Sequence, residues 1–252
     1  MSQTVTRQAL LSACTELLQP MRFKDYGPNG LQVQGKSSVQ KLVSGVTASQ
    51  ALIDAAIDAK ADAIFVHHGL FWRGQDGCVV GWMRDRLKLL LAHDINLLAY
   101  HLPLDAHPQF GNNAQLGLRM GVSADARFGE QSLGFIGTPE APLTTKNLVE
   151  RLAQMSGRTL SIIQGDARPL RRIAWCTGGA QSYFEAAIAA GADVFVTGEI
   201  SEPQVHLARE TGVAFIACGH HASERYGAPA VAGHVAAQLG LEHRFIDIDN
   251  PA

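Results

Sequence analysis

Gln50-Ala51-Leu52-Ile53-Asp54-Ala55-Ala56-Ile57-Asp58-Ala59-Lys60-Ala61-Asp62 and Gln181-Ser182-Tyr183-Phe184-Glu185-Ala186-Ala187-Ile188-Ala189-Ala190-Gly191-Ala192-Asp193 are two versions of one segment. At a shift of 131 residues they share Gln50/Gln181, Ala55/Ala186, Ala56/Ala187, Ile57/Ile188, Ala59/Ala190, Ala61/Ala192 and Asp62/Asp193, seven identities in thirteen positions. Alanine-rich helices of α/β proteins also resemble one another by composition, so the surroundings must decide. Lys41–Val46 reads as a strand, Ser49–Ala59 as a helix and Asp62–Val66 as a second strand, which makes a β-α-β unit. Leu87–Ala92 then reads as helix and Ile95–Tyr100 as a buried strand, and the same order recurs downstream. The predicted fold class is α/β, with two related halves in a pseudo-twofold relation whose strands end at a shared cleft. The expected divisions are 1–128, a connecting segment 129–165 packed at the periphery around a helix at Thr145–Met155, and 166–252.

With 252 residues the chain can build a substantial core, and 46% hydrophobic with 17% charged residues is the balance of a globular protein. A formal net charge of −2 supplies no electrostatic footprint for nucleic acid or anionic membrane. Cys14, Cys78, Cys176 and Cys218 form no C-x-x-C pair, so neither a zinc ribbon nor a disulfide framework is indicated. Met1–Pro20 has no basic region followed by an apolar one, and no apolar run approaches the ~18 residues of a membrane span. A reducing, cytoplasmic location is the expectation.

Metal-ligating side chains stand behind the apolar runs of both halves. His67 and His68 follow Ala63-Ile64-Phe65-Val66, His101 and Asp105 follow Ile95–Tyr100, and His220 and Glu224 follow the equivalent run of the second half at a shift of 119. The shorter shift reflects a longer connection, Phe71–Arg86, in the first half. Imidazole and carboxylate are ligands of borderline divalent metals, and an i, i+4 pair on a helical turn points two of them the same way. Each group also has a plainer reading. His67-His68 suits a polar strand end, and the two rings should leave the strand in opposite directions unless the chain turns at Gly69. Asp105 suits a helix cap, His101 a hydrogen-bonded strand terminus, and His220/Glu224 an ordinary helical pair. Together, four histidines and two carboxylates at strand ends suit two ions of the zinc, manganese or iron type, with Asp105 or Glu224 bridging. A single ion or a purely structural arrangement is the alternative.

The remaining motifs carry less. His221 is a substitute for His220 as ligand, but only His220 stands four residues before Glu224. Glu199 occupies the repeat position of His68, where it either orients a ligand, contacts substrate or is a solvated loop residue. Thr177-Gly178-Gly179 lies between a strand and a helix, where backbone N–H groups can receive phosphate, yet it lacks both the Walker and the G-x-G-x-x-G spacing and reads as a plain turn. Asn112-Asn113 reads as a turn and helix cap. His93, His107, His206, His234 and His243 read as surface or hydrogen-bonded core residues.

In order along the chain, Gly45-Val46-Thr47-Ala48-Ser49, Val66-His67-His68-Gly69, His101-Leu102-Pro103-Leu104-Asp105, Thr197-Gly198-Glu199 and Gly219-His220-His221-Ala222-Ser223-Glu224 resemble the NIF3-like family, also called the GTP cyclohydrolase I type 2 family. The resemblance runs from about Tyr26 to Asn250-Pro251-Ala252. It implies a NIF3-like fold and a dinuclear centre in the cleft, with His67, His68, His101, Asp105, His220 and Glu224 as ligands of two divalent ions. It also implies a toroidal homohexamer assembled from dimers. Many members of that family carry proline where this chain has Gly69, and longer ones insert a domain where it has only 129–165. The implied activity is metal-dependent hydrolysis, with GTP yielding formate and dihydroneopterin triphosphate. Proton transfer then needs a group that is not a ligand, and Glu199 and His221 are the spare candidates. Two other readings stay open: a hydrolase of another substrate such as a phosphoester, and a non-enzymatic hexameric metal-binding scaffold or regulatory protein.

Overall fold

The computed structural model describes residues 3–164 and 168–252. The chain forms two compact units, one of Met1–Leu104 with Gly227–Asp249, the other of Asp105–Tyr226 with Asn250–Ala252. Among the described residues no helix is long and apolar enough to cross a membrane.

The first unit is built on a five-stranded sheet in the order Glu242–Phe245, Lys41–Thr47, Ala63–His68, Asn96–Ala99, Gly30–Val33. The first four strands are parallel and Gly30–Val33 is antiparallel. Parallel strands are covered on both faces and therefore read as apolar runs, and every residue from Leu42 to Val46 is buried. The helix Gln50–Asp58 starts where Ser49 Oγ accepts the Leu52 N–H at 3.2 Å. Its Leu52, Ile53 and Ala56 join Ile64, Val66 and Leu97 in the core. Burial of a leucine or isoleucine there contributes ~1.5 to 3 kcal/mol. Gly45 lets this helix approach, since a Cβ at that position would collide with the Leu52 side chain.

The second unit carries a six-stranded sheet in the order Val122–Phe128, Gly134–Pro139, Ile173–Trp175, Val194–Thr197, Ala214–Ala217, Ser161–Ile163. Ile173–Trp175, Val194–Thr197 and Ala214–Ala217 are mutually parallel, and the strands flanking them are antiparallel. Trp175 and Phe135 meet at a centroid distance of 5.6 Å in a core that includes Leu116, Leu148, Leu152 and Val196.

The internal repeat is visible in hydrogen bonds as well as in letters. Asp62 Oδ2 accepts the N–H groups of Gln40 and Lys41 at 2.8 and 2.9 Å, and Asp193 Oδ2 accepts those of Arg171 and Arg172 at 2.7 and 2.8 Å. The Asp62 N–H donates to Lys41 O and the Asp193 N–H to Arg172 O, at 2.9 and 2.8 Å. Each aspartate thus ties the start of its strand to the chain entering the neighbouring one. The copies differ in the helix: Gln181–Tyr183 is a 3-10 turn ahead of Phe184–Ala189, where the first copy is α-helical from Gln50.

The expected divisions at 128 and 165 differ from the units observed. The first unit ends at Leu104 and regains the chain at Gly227, because the helix Gly227–Leu239 packs on the Lys41–Thr47 strand and Glu242–Phe245 pairs with it. Nor does the connecting segment lie at the periphery: Gly134–Pro139 is the second strand of the six-stranded sheet, and Thr145–Ser156 supplies Leu148 and Leu152 to its core. Gly165 and Asp166, where that segment was expected to end and the second half to begin, fall outside the described residues.

Candidate metal-binding site

In the first unit His67, His68 and His101 each offer a ligand nitrogen, and these atoms lie within 4.8 Å of one another. His67 and His68 close the Ala63–His68 strand, and His101 follows Tyr100 after the Asn96–Ala99 strand. The opposed rings expected of strand neighbours are not found; the His67 and His68 centroids are 4.4 Å apart. His68 Nδ1 is held by Thr47 Oγ1 at 3.1 Å, across from it in the neighbouring strand, and this anchor brings the ring to the side of His67. Gly69 is not in the left-handed region; a Cβ there would strike the Gln32 amide, whose Oε1 accepts the Leu70 N–H at 2.8 Å.

The other two rings are anchored in the same way. His67, fully buried, places Nδ1 3.2 Å from the Tyr100 carbonyl, and His101 Nδ1 lies 2.7 Å from Asp25 Oδ1. A carbonyl or carboxylate oxygen only accepts, so both rings carry a proton on Nδ1, which leaves Nε2 as the nitrogen able to ligate. Asp25 is itself engaged on every side: Oδ1 also accepts the Tyr26 N–H at 2.7 Å, and Oδ2 accepts from Asn29 Nδ2 and from the Leu102 N–H at 2.9 Å each. Burial pushes its pKa up, but the hydrogen bonds from His101 and Asn29 outweigh it and hold the carboxyl below its ordinary value.

In the second unit Asp105 lies in the short helix Leu102–Ala106, and His220 and Glu224 span the helix His220–Glu224. Asp105 Oδ1 accepts from Asn112 Nδ2 at 2.9 Å and from Thr177 Oγ1 at 3.2 Å, and all three residues are buried. Asn112-Asn113 therefore do more than cap a helix: Asn113 Oδ1 also accepts the Thr177 N–H at 2.9 Å. His220 stands between two carboxylates, with Nδ1 2.6 Å from Glu199 Oε1 and Nε2 3.2 Å from Glu224 Oε2. The hydrogen bond to Glu224, opposed by burial and reinforced by Glu199, raises the His220 pKa to about 9.

The glycine turn expected after the Ile173–Trp175 strand supports this group. Gly178, at φ 72°, has the Glu224 carboxylate where a Cβ would stand, and its N–H donates to Ser223 Oγ at 3.0 Å. Glu199, expected either to orient a ligand, to touch substrate or to be solvated, orients His220. His221 is buried and its N–H donates to the Ala252 carbonyl at 3.2 Å, but it is absent from the donor groups found among the described residues. Sequence reasoning passed over Asp25, Asn29 and Thr47. Asp25 and Asn29 flank a turn marked by Tyr26-Gly27-Pro28 and are sequentially remote from His101, and nothing in a single chain of letters links them.

Three clustered imidazoles in the first unit, and in the second buried Asp105 and Glu224 with His220, are donor types that a borderline divalent cation takes. An α/β fold with clusters of this kind defines a protein with histidine and carboxylate groups able to hold a metal ion. The chain belongs to the DUF34/NIF3 family, described as Duf34/NIF3 (NGG1p interacting factor 3), which it matches over residues 5–251. It is 50% identical over 248 residues to the GTP cyclohydrolase 1 type 2 homolog of Neisseria meningitidis serogroup A, covering 98% of this chain and 100% of that one. The protein of the same name from Pseudomonas aeruginosa is 47% identical over 251 residues, with 98% and 99% covered. Among solved structures, the protein ybgI, of unknown function, superimposes with a TM-score of 0.94 at 45% identity, over 98% of this chain and 100% of that one.

Proposed function

We propose that the protein is a metal-dependent hydrolase with two divalent ions, held by His67, His68, His101, Asp105, His220 and Glu224, and that its substrate is GTP. The observation that carries this reading is the anchoring of Nδ1 on His67, His68 and His101, which leaves Nε2 as the ligating atom of each. The names of the curated relatives supply the substrate. When bound, divalent ions lower the pKa of water and offset negative charge developing on the attacked group. The chain's own residues orient the imidazoles. Asp25 and Glu199 hold the Nδ1 protons of His101 and His220, which makes Glu199 a positioning residue. Asn112 and Thr177 occupy one oxygen of Asp105. His221 is left as the candidate for proton transfer.

Water adds at C8 of the guanine imidazole ring and opens it to a formamide, a second water releases C8 as formate, and the freed amine closes onto the rearranged ribose with loss of one water to give dihydroneopterin triphosphate. The test is incubation of iron-, manganese- or zinc-loaded protein with GTP, followed by assay for formate and for a fluorescent pterin. Both products in stoichiometric yield support the reading, and neither product with any of the three metals overturns it. The toroidal homohexamer belongs to the same proposal, and light scattering on the purified protein checks it.

A further inference from the structure

Two aromatic side chains border the imidazole triad. Trp72 meets His101 edge to face, at a centroid distance of 5.0 Å and 87°, and lies 6.0 Å from His68. Tyr26 meets His101 at 6.0 Å and 68°, and is 57% exposed. Neither ring belongs to the buried core of the first unit. Tyr26, exposed, and Trp72, partly buried, thus set two large rings beside the imidazole cluster.

Their backbones are locked to each other. The Arg73 N–H donates to the Tyr26 carbonyl at 2.6 Å, the Arg73 guanidinium donates to Asp25 O at 2.8 Å, and the Trp72 N–H donates to Gln75 Oε1 at 3.0 Å. Gly27 permits the approach, since a Cβ there would collide with the Phe71 carbonyl and lie 3.4 Å from the Trp72 ring. Asp25, which fixes His101, and Tyr26 are adjacent, so one turn sets both the metal ligand and the aromatic face beside it. The wall is preorganised, and rigid aromatic faces bind planar rings with little loss of side-chain freedom.

We propose that Trp72 and Tyr26 form the stacking wall for the purine ring of the substrate, holding its five-membered ring toward the ions on His67, His68 and His101. This rests on the nucleotide reading above and adds the residues that select a base over the phosphates attached to it. A purine presents a flat π surface to an indole, whereas a phosphoester without a base does not.

Calorimetric titration of the manganese-loaded full chain with guanosine, with GTP and with inorganic triphosphate tests the assignment in wild type, Trp72→Ala, Trp72→Phe and Tyr26→Ala. Trp72→Ala should weaken guanosine and GTP by about tenfold or more, Trp72→Phe should recover most of the loss, and triphosphate affinity should hold within about twofold. Tyr26→Ala, at an exposed position, should weaken guanosine in the same direction and keeps the test open if Trp72→Ala fails to fold. Unchanged guanosine binding in both alanine variants, an equal loss for all three ligands, or no guanosine binding by wild type overturns the proposal. Base binding that depends on Trp72 without formate release retains the wall and refutes the hydrolase; formate release unaffected by Trp72→Ala does the reverse.

Discussion

Asp25 Oδ1 accepts the Nδ1 proton of His101 at 2.7 Å across 76 residues of sequence. The same carboxylate takes the N–H of Leu102, so the ring and the start of the helix leading to Asp105 share one anchor. A carboxylate behind a ligating histidine fixes its tautomer and raises its basicity.

Removing that anchor should cost metal affinity without dismantling the unit. Asp25→Ala and Glu199→Ala are each expected to weaken metal binding by about 10- to 100-fold, measured by chelator competition. Wild-type affinity in both would show that the carboxylates do not orient His101 and His220.

Asp105→Asn tests the second unit. It removes the charge from a buried group that accepts from Asn112 and Thr177. Metal content by elemental analysis should fall sharply, and urea denaturation should show a loss of ~1 to 3 kcal/mol in the metal-free protein. Asp105→Asn that retains full metal content would remove Asp105 from the ligand set.

Gly178→Ala forces a side chain onto a backbone at φ 72° and into the Glu224 carboxylate. The conformational cost alone is ~1 to 2 kcal/mol, and displacement of Glu224 adds to it. A lower Tm together with reduced metal content is expected. A variant with unchanged Tm would mean that Glu224 has room to move.

Asp62 supplies a pH dependence. Burial raises its pKa, but the hydrogen bonds from Lys36 and from the N–H groups of Gln40 and Lys41 outweigh this and hold it below 3.8. A carboxyl with a depressed folded pKa stabilises the protein above its unfolded pKa, and that contribution disappears as pH falls through the folded value. Asp62→Ala should therefore cost ~1 to 2 kcal/mol at pH 7, with the difference from wild type closing below about pH 4 in urea titrations. An equal deficit at pH 7 and pH 3 would show that ionisation of Asp62 contributes nothing.

The repeat, the strand and helix order, and the cluster of His67, His68 and His101 were legible because apolar periodicity and a duplicated segment are local signals. The approach of the rings of His67 and His68 was not, since it depends on Thr47 in the adjacent strand. The constraint on Gly69 is illegible for a related reason: its backbone is ordinary, and the side chain that needs its missing Cβ is Gln32, which only folding brings there. Gly178 looked like a generic turn because the carboxylate that needs its missing Cβ lies 46 residues away at Glu224. The early boundary at Leu104 and the return at Gly227 escaped notice because pairing between Lys41–Thr47 and Glu242–Phe245 leaves no local mark in either strand.

That return has a consequence for synthesis of the chain. The Lys41–Thr47 strand needs Glu242–Phe245 on its free edge and Gly227–Leu239 on its face, and both emerge from a ribosome after every residue of the second unit up to Tyr226. The sheet that begins first thus waits for the bulk of the second unit before it gains its outer strand, and until then it exposes an apolar parallel strand of the kind that seeks foreign partners.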